Sequence, residues 1–379
     1  MTRPFRILHL IDHLGLGGAQ RALLDFIQAA DATRFVHEVA CLHGRGVEWD
    51  AFTAAGVVTH SLSLARWNPV FLVRLARLLR RGNYDAIHCH LFYSNVIGKP
   101  LAAALGMRQR FAHDQWNDPP PTDCAWMRIV DRLAHRFSTQ VFAVSPFIGV
   151  FLTQTQGLPA GRVTVVPNGT DLQRFPHGRE FSAEARRRWG LPATGPILGA
   201  VARLAAQKNL GVFLRAAAQV AARHPEATFL LAGTGEEEAA LKREAARLGL
   251  GERCRFLGHV ADMPQLYPAL DVMVLPSIFE GFGLVIVEAL LCGAAVVASE
   301  VAGARDYLRD GEDCFFARPD DVETFARHMF ALVEDPALRE RQTRSARAVI
   351  ERELSSTAMA RRIEAVYLRH LEPAAAPGS

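Results

Sequence analysis

The sequence predicts an α/β protein built as two doubly wound parallel-sheet domains facing one cleft. Apolar runs of strand length alternate with helix-type patterns along most of the chain. The alternation breaks once, over residues 174–189, where Pro176, Gly178 and the charge run Arg186-Arg187-Arg188 place a domain boundary; it then starts again. The chain has 379 residues, too long for one ordinary domain and suited to two of about 150–200. The expected division is 1–178 and 179–356.

Phe5–Ile11 (FRILHLI) reads as the first strand. It runs into Gly15-Leu16-Gly17-Gly18 and then residues 19–30, where Leu23, Leu24 and Ile27 recur at helical spacing. Strand, glycine turn and helix are the parts of a dinucleotide-type phosphate loop, although G-L-G-G is not G-x-G-x-x-G and any such turn needs glycine. Residues 36–42 and 57–58 read as strands. Residues 67–81 (WNPVFLVRLARLLRR) read as a helix with Arg74, Arg77 and Arg81 on one side. A core-packing helix with a solvated arginine edge fits this pattern, and so does a basic amphipathic helix meeting acidic lipid head groups.

Residues 84–90 (YDAIHCH) form a buried strand ending in His88 and His90. Their i, i+2 spacing suits a metal ion, but the sequence offers no evident third ligand. Phe111-Ala112-His113-Asp114 ends the next strand at the carboxyl edge, where α/β sheets place ligands. The proline-rich stretch 116–126 follows. Its Trp116 and Trp126 suit either stacking on a sugar or pinning the loop. Residues 141–145 and 163–166 are further strands, the second leading into the Asn168-Gly169 turn.

The second half repeats the pattern. Residues 196–202 form a strand ending in Arg203-Leu204, followed by Gln207-Lys208-Asn209 and a helix to Ala222. Residues 227–231 lead to Gly233-Thr234-Gly235 and a charged helix over 236–248. Residues 254–257 lead to Gly258-His259-Val260. Residues 271–275 (DVMVL) lead to Pro276-Ser277 and then Glu280-Gly281-Phe282-Gly283, with a helix from Leu284 to Leu291 stopped by Gly293. Residues 294–298 form a further strand, and 323–348 and Ser356–Leu371 read as helices.

Composition narrows the function classes. Half the residues (50%) are apolar, enough for a large core. Residues 1–178 carry 18 Lys and Arg against 12 Asp and Glu, while the remainder carries 25 against 27. The first half therefore presents the basic surface, which fits an anionic partner or plain Arg-rich solubility. Nothing in the sequence points to nucleic acid. The six cysteines form no C-x-x-C pair, against a zinc site or disulfide framework and in keeping with a reducing compartment. The N-terminus reads as a first strand and not a signal peptide, and no apolar run reaches about 18 residues. The expected location is cytoplasmic, extending to peripheral contact with the inner face of the membrane.

Four features fall at strand ends of the second domain: Arg203 with Lys208, Gly233 with Gly235, Gly258, and Glu280 to Glu288. Guanidinium and ammonium groups neutralise a diphosphate directly. The helix start at Gly283-Leu284 adds N–H donors and the positive end of a dipole. Together they are expected to replace a divalent metal as charge stabiliser for a leaving nucleoside diphosphate. No acidic D-x-D pair stands at a suitable place for Mg²⁺. Glu288 suits ribose hydroxyls, and Glu280 suits hydroxyls of a transferred sugar.

At these residues the chain resembles the GT-B glycosyltransferases, specifically the retaining family 4. The resemblance spans nearly the whole chain: GLGGAQ (15–20), HD (113–114), PNGTDLQRF (167–175), ARLAAQKN (202–209), LAGTGEEEAAL (231–241), FLGHV (256–260) and PSIFEGFGLVIVEALLCG (276–293). It implies that Arg203 and Lys208 bind the donor diphosphate and act in catalysis with Glu280 and His113. Glu280 and Glu288 then contact donor sugar and ribose. Donor contacts also fall on Gly17, Gly18, Gly233, Gly235, Gly258, His259, Val260, Gly281, Phe282, Gly283 and Leu284. The final helix, about 357–371, is expected to cross back to the first domain. Transfer is expected to retain anomeric configuration by front-face departure, since no nucleophile is evident on the opposite face of the sugar. The resemblance implies a nucleoside-diphosphate sugar as donor, UDP favoured, with no cofactor and no metal expected. The expected acceptor is a hydroxyl of a lipid-linked or cell-envelope glycan, with its pocket expected near Gly17, His113 and the Trp116 loop, and the two domains should close on the donor. One segment departs from the family: where G-G-x-P-E is usual, this chain has Ala302-Gly303-Ala304-Arg305-Asp306.

Two rival readings remain open. One is a nucleotide-sugar epimerase of the UDP-GlcNAc 2-epimerase type on the same fold. The other is a non-catalytic sugar-nucleotide-binding protein.

Overall fold

The computed structural model describes residues 3–62, 70–115, 125–176, 180–301 and 303–372. The chain divides into two compact units, Met1–Gly169 with Ser356–Ser379, and Thr170–Ser355. Residues 170–176 fall in the second unit, and the helix Ser356–Leu371 falls in the first.

The first unit holds a seven-stranded sheet. Its strands are β1 (Phe5–Ile11), β2 (Phe35–Cys41), β3 (Val58–Ser61), β4 (Ala86–His90), β5 (Gln109–Asp114), β6 (Gln140–Ala143) and β7 (Val163–Val165), in the order β3-β2-β1-β4-β5-β6-β7. Neighbours pair in parallel, with His9 opposite His88 across β1 and β4. A parallel sheet is covered on both faces, which is why β1 reads as a continuous apolar run. One face packs under the helices Gly18–Ala29 and Ser356–Leu371, through Leu23, Phe26, Met359, Ile363 and Tyr367. The other packs under Val70–Arg81 and Phe92–Ala104. Of the arginines on Val70–Arg81, the exposed Arg74 donates to the Leu62 carbonyl at 3.2 Å.

The second unit holds a six-stranded parallel sheet: β8 (Ile197–Val201), β9 (Thr228–Ala232), β10 (Cys254–Gly258), β11 (Val272–Leu275), β12 (Ala295–Ser299) and β13 (Phe315–Ala317), ordered β10-β9-β8-β11-β12-β13. The order reverses between β8 and β11. Such a reversal splits the connections to opposite faces and opens a crevice at the strand C-termini. The chain enters and leaves this unit side by side, with Thr170 N donating to Leu354 O at 3.0 Å.

Several elements differ from expectation. The helix read over 323–348 is two helices, Val322–Glu334 and Pro336–Glu353. Pro336 lacks the N–H to continue the first, and Asp335 caps the second by accepting from Leu338 N at 2.9 Å. Strand β13 and the helices Phe92–Ala104 and Ala125–His135 are not among the elements read from the sequence, although Trp126, Ile129 and Leu133 recur at helical spacing in the last. No helix among the described residues is long and apolar enough to cross a membrane.

Candidate functional site

The switch point of the second unit collects the charged residues singled out from the sequence. Arg203 and Lys208 lie on the loop after β8, and residues 276–283 form the loop after β11. The two loops are stitched together by backbone and amide bonds. Ile278 N donates to Gln207 O at 2.9 Å, and Gln207 Nε2 donates to Phe279 O at 2.9 Å. This brings Lys208 onto Glu280 as an ion pair. The side chains are 16% and 14% exposed, so the pair sits mostly out of water while still open to a ligand. Arg203 is exposed on the same loop.

Backbone shape at this edge depends on glycine. Gly283 has φ +88° and starts the helix Leu284–Leu291 with no side-chain cap, leaving the helix start open to an anion. Gly233 has φ +138°, and a Cβ there would lie 1.9 Å from the Ala202 carbonyl oxygen. This lets β9 run tight against the loop after β8, with Leu204 N donating to Thr234 O at 2.9 Å. Gly235 lies in that close approach, and Gly258 O accepts from Gly233 N at 2.7 Å. His259 is exposed and Val260 buried beside them. A surface groove of about 460 Å³ adjoins this strand end, lined by Arg174, Pro176, Ala261, Asp262, Pro264 and Gln265. It is not at the Lys208–Glu280 pair; the pair's placement rests on the sheet topology and its own contacts.

Glu288 is on the helix and buried, and it meets a partner the sequence does not reveal. Tyr267 Oη donates to Glu288 Oε2 at 2.7 Å. Burial, with the Glu288 charge adding to it, pushes the Tyr267 phenol up, so it stays protonated and donating. Tyr267 lies on a short turn 21 residues earlier, and no local pattern links the two. Phe282 and Gly281 are buried in the turn, and Phe282 O accepts from Ala304 N at 2.9 Å. The segment that departs from the family pattern therefore braces the Glu280–Gly283 turn.

In the first unit, Gly17 and Gly18 start the helix after β1, and His113 ends β5. His113 is buried within a set of five imidazoles. His9 Nδ1 is 3.0 Å from His90 Nε2, and His9 Nε2 is 2.9 Å from His37 Nδ1. His88 Nδ1 is 2.5 Å from Tyr367 Oη, tying the final helix to β4. His113 stacks on His88 with centroids 5.4 Å apart. Burial lowers all five; His37 and His113 titrate near about 4. His9 supplies the third ligand atom absent from the sequence reading: His9, His88 and His90 have donors within 4.8 Å of one another and could hold a metal ion, as could Asp114, Asp131 and His135. In the first group both His9 nitrogens already meet other histidines. Trp116 lies outside the described residues.

Comparison with known proteins finds two family profiles along the chain. Residues 16–174 match Glycosyltransferase Family 4 and residues 181–349 match Glycosyl transferases group 1. A D-inositol 3-phosphate glycosyltransferase of Catenulispora acidiphila is 32% identical over 290 residues, 70% of this chain and 66% of that protein. A glycogen synthase of Mycobacterium tuberculosis is 30% identical over 295 residues, 75% of this chain and 68% of that protein. Among solved structures, Anabaena HepE in complex with UDP-glucose superposes with a TM-score of 0.85 at 24% identity, covering 96% of this chain and 99% of that one. This last likeness shows the fold, which is GT-B.

Proposed function

This chain belongs to the group 1 glycosyltransferases of family 4, and from that premise we propose that it moves a sugar from a nucleoside-diphosphate sugar, a UDP-sugar by preference, to a hydroxyl of a glycan or lipid-linked acceptor, with retention and without a metal. The observation that carries this reading is the Lys208–Glu280 pair at the switch point of the second sheet, beside an uncapped helix start. A cation and a carboxylate held together there are ready to be separated by a donor, the cation taking diphosphate and the carboxylate taking sugar hydroxyls.

In this reading Arg203, Lys208 and the N–H groups at Leu284 hold the diphosphate. Backbone at Gly233, Gly235 and Gly258–Val260 borders the nucleotide. Glu288, fixed by Tyr267, accepts from ribose hydroxyls. The bond from the anomeric carbon to the β-phosphate oxygen breaks, and the cations hold the charge that develops on the diphosphate. A β-phosphate oxygen takes the acceptor proton, and the acceptor oxygen bonds to the same face of the sugar. His113 and the Gly17–Gly18 backbone contribute from the first unit. A trapped covalent glycosyl-enzyme would overturn this route.

The acceptor reading extends to peripheral contact with anionic membrane. Two exposed apolar patches support it. Val70 and Val73 are 46% and 48% exposed on the helix that carries exposed Arg77, Arg80 and Arg81. Trp126, Ile129 and Leu133 are 60%, 59% and 46% exposed in a helical stripe beside exposed Arg132 and Arg136. Sedimentation with anionic vesicles should recover the wild-type protein and much less of an Arg77/Arg80/Arg81→Glu variant. A wild type left in the supernatant ends the idea.

The donor reading is tested by thermal shift against UDP, GDP, ADP and dTDP and then their sugars. Stabilisation by UDP above the others is expected, followed by UDP release when donor and acceptor are combined. Conversion of UDP-GlcNAc alone to its 2-epimer would favour the epimerase, and no nucleotide release with any pair would favour a binding protein.

A further inference from the structure

Three residues of the first unit, His90, His113 and Asn168, line one small cavity. Each has a buried polar atom, His90 Nδ1, His113 Nε2 and Asn168 Oδ1, that lacks a hydrogen-bond partner among the described residues. Their residues are 2%, 3% and 4% exposed, so bulk water does not satisfy them. The cavity that these three residues line has a volume of about 10 Å³ and is also lined by Gln115 and the apolar residues Ala22, Leu23, Phe26, Met359 and Ile363. That space is near the minimum for one water, and about three partners is the usual number for a buried water. Unmet buried polar atoms are rare because each forfeits its hydration.

We propose that this cavity binds a single water molecule, and that the water couples the ring proton of His113 to a chain of three further histidines. Asn168 Nδ2 donates to Gln115 Oε1 at 2.7 Å, and Asn168 Oδ1 can only accept. The water therefore gives one hydrogen to Asn168. Its second hydrogen goes to one of the two imidazole nitrogens, and its oxygen accepts from the other. One of His90 Nδ1 and His113 Nε2 is protonated and the other is bare.

The choice propagates. His90 Nε2 is 3.0 Å from His9 Nδ1, and His9 Nε2 is 2.9 Å from His37 Nδ1. Each neutral ring carries one N–H. With the proton on His113 Nε2, His90 donates from Nε2 to His9, and His9 donates from Nε2 to His37. With His113 Nε2 bare, every bond in the chain reverses. No net charge moves in either case. The four rings form a two-state tautomer unit, and the water is the link that includes His113 in it. Asn168, in the turn after β7, is thus a positioning residue for His113 and does not touch the reacting atoms. That last consequence rests on the proposed role of His113; the water and the coupling do not.

A high-resolution crystal structure of the intact protein is the first test. Ordered density within hydrogen-bond distance of His90 Nδ1, His113 Nε2 and Asn168 Oδ1 is expected, and an empty cavity overturns the proposal. The second is nitrogen NMR of ¹⁵N-histidine-labelled protein. The wild type should show His9, His37, His90 and His113 neutral, in alternating tautomers of one sense. Asn168→Leu removes the acceptor, and Ala22→Val fills the space without touching a polar group. Either should shift both the His90 and His113 resonances; unchanged spectra in both variants refute the coupling. In turnover assays Ala22→Val should lower kcat/KM about tenfold while the UDP-induced thermal shift is unchanged. Wild-type kcat/KM in a variant shown to lack the water refutes the positioning role of Asn168. An enzyme without transferase activity would leave the density and the spectra as they are, so the two readings fail separately.

Discussion

Acid should unfold the first unit before the second. Five imidazoles, His9, His37, His88, His90 and His113, lie in its core with other histidines, Tyr367 and aromatic rings around them. In the unfolded chain each takes up a proton near pH 6.5. In the folded unit burial holds His37 and His113 neutral down to about 4, and lowers the other three well below their usual range. Between these values the unfolded state binds more protons, so stability is full above about pH 6.5 and falls as pH falls. At about pH 5 the loss is about 2 kcal/mol for His37 and about the same for His113. His9, His88 and His90 add to it. Against a typical total of about 5–15 kcal/mol, this brings the unit close to its midpoint. Urea titrations at several pH values, read by hydrogen exchange so that each unit is followed separately, give the measurement. Protection of β1, β4 and the Ser356–Leu371 helix should be lost at lower urea as pH falls from 7.5 to 5. Replacing His88 with Phe should reduce the slope by up to about 1.4 kcal/mol per pH unit. A urea midpoint for this unit that does not move with pH would refute the reasoning.

Three further outcomes follow from the second unit. Arg186 Nη2 meets Asp271 Oδ2 at 2.7 Å with both side chains buried, and Asp271 also accepts from Ile197 N at 2.7 Å. Arg186→Ala should cost about 3–5 kcal/mol in denaturant melts, and Arg186→Met with Asp271→Asn should cost less than the single change. Gly233→Ala forces a Cβ against the Ala202 carbonyl and should lower stability by about 3 kcal/mol; a Tm within a degree of wild type would show that the loop relaxes freely. Tyr267→Phe removes the donor to Glu288, costing about 1–3 kcal/mol, and should raise KM for the donor more than it lowers kcat. An unchanged donor KM would remove Tyr267 from the binding account.

The fold was legible because its evidence is local. Strands buried on both faces read as short apolar runs, and the turns after them carry glycine and charge within a few residues. Arg203, Lys208 and Glu280 were visible for that reason, each beside a strand end. Their relation was not, since Lys208 and Glu280 are 72 residues apart in sequence and meet only through the strand order β8-β11. Tyr267 and the His9 neighbours of His88 and His90 were hidden for the same reason. The three-residue strand Phe315–Ala317 is too short to show a period. The break at Asp335-Pro336 was visible in principle, since proline lacks the helix N–H, but the apolar pattern runs on through it.

Lys208 and Glu280 form the centre of the proposed donor site. The direct measurement is the rate of UDP release from a donor and acceptor pair by wild type, Lys208→Ala and Glu280→Ala, with folding of each variant established by its thermal transition. Losing one well-placed charge stabiliser should lower turnover on the order of 10²- to 10³-fold, with Lys208→Ala also losing most of the UDP-induced stabilisation. Normally folded variants that release UDP at near wild-type rates would contradict the assignment and, with it, the site.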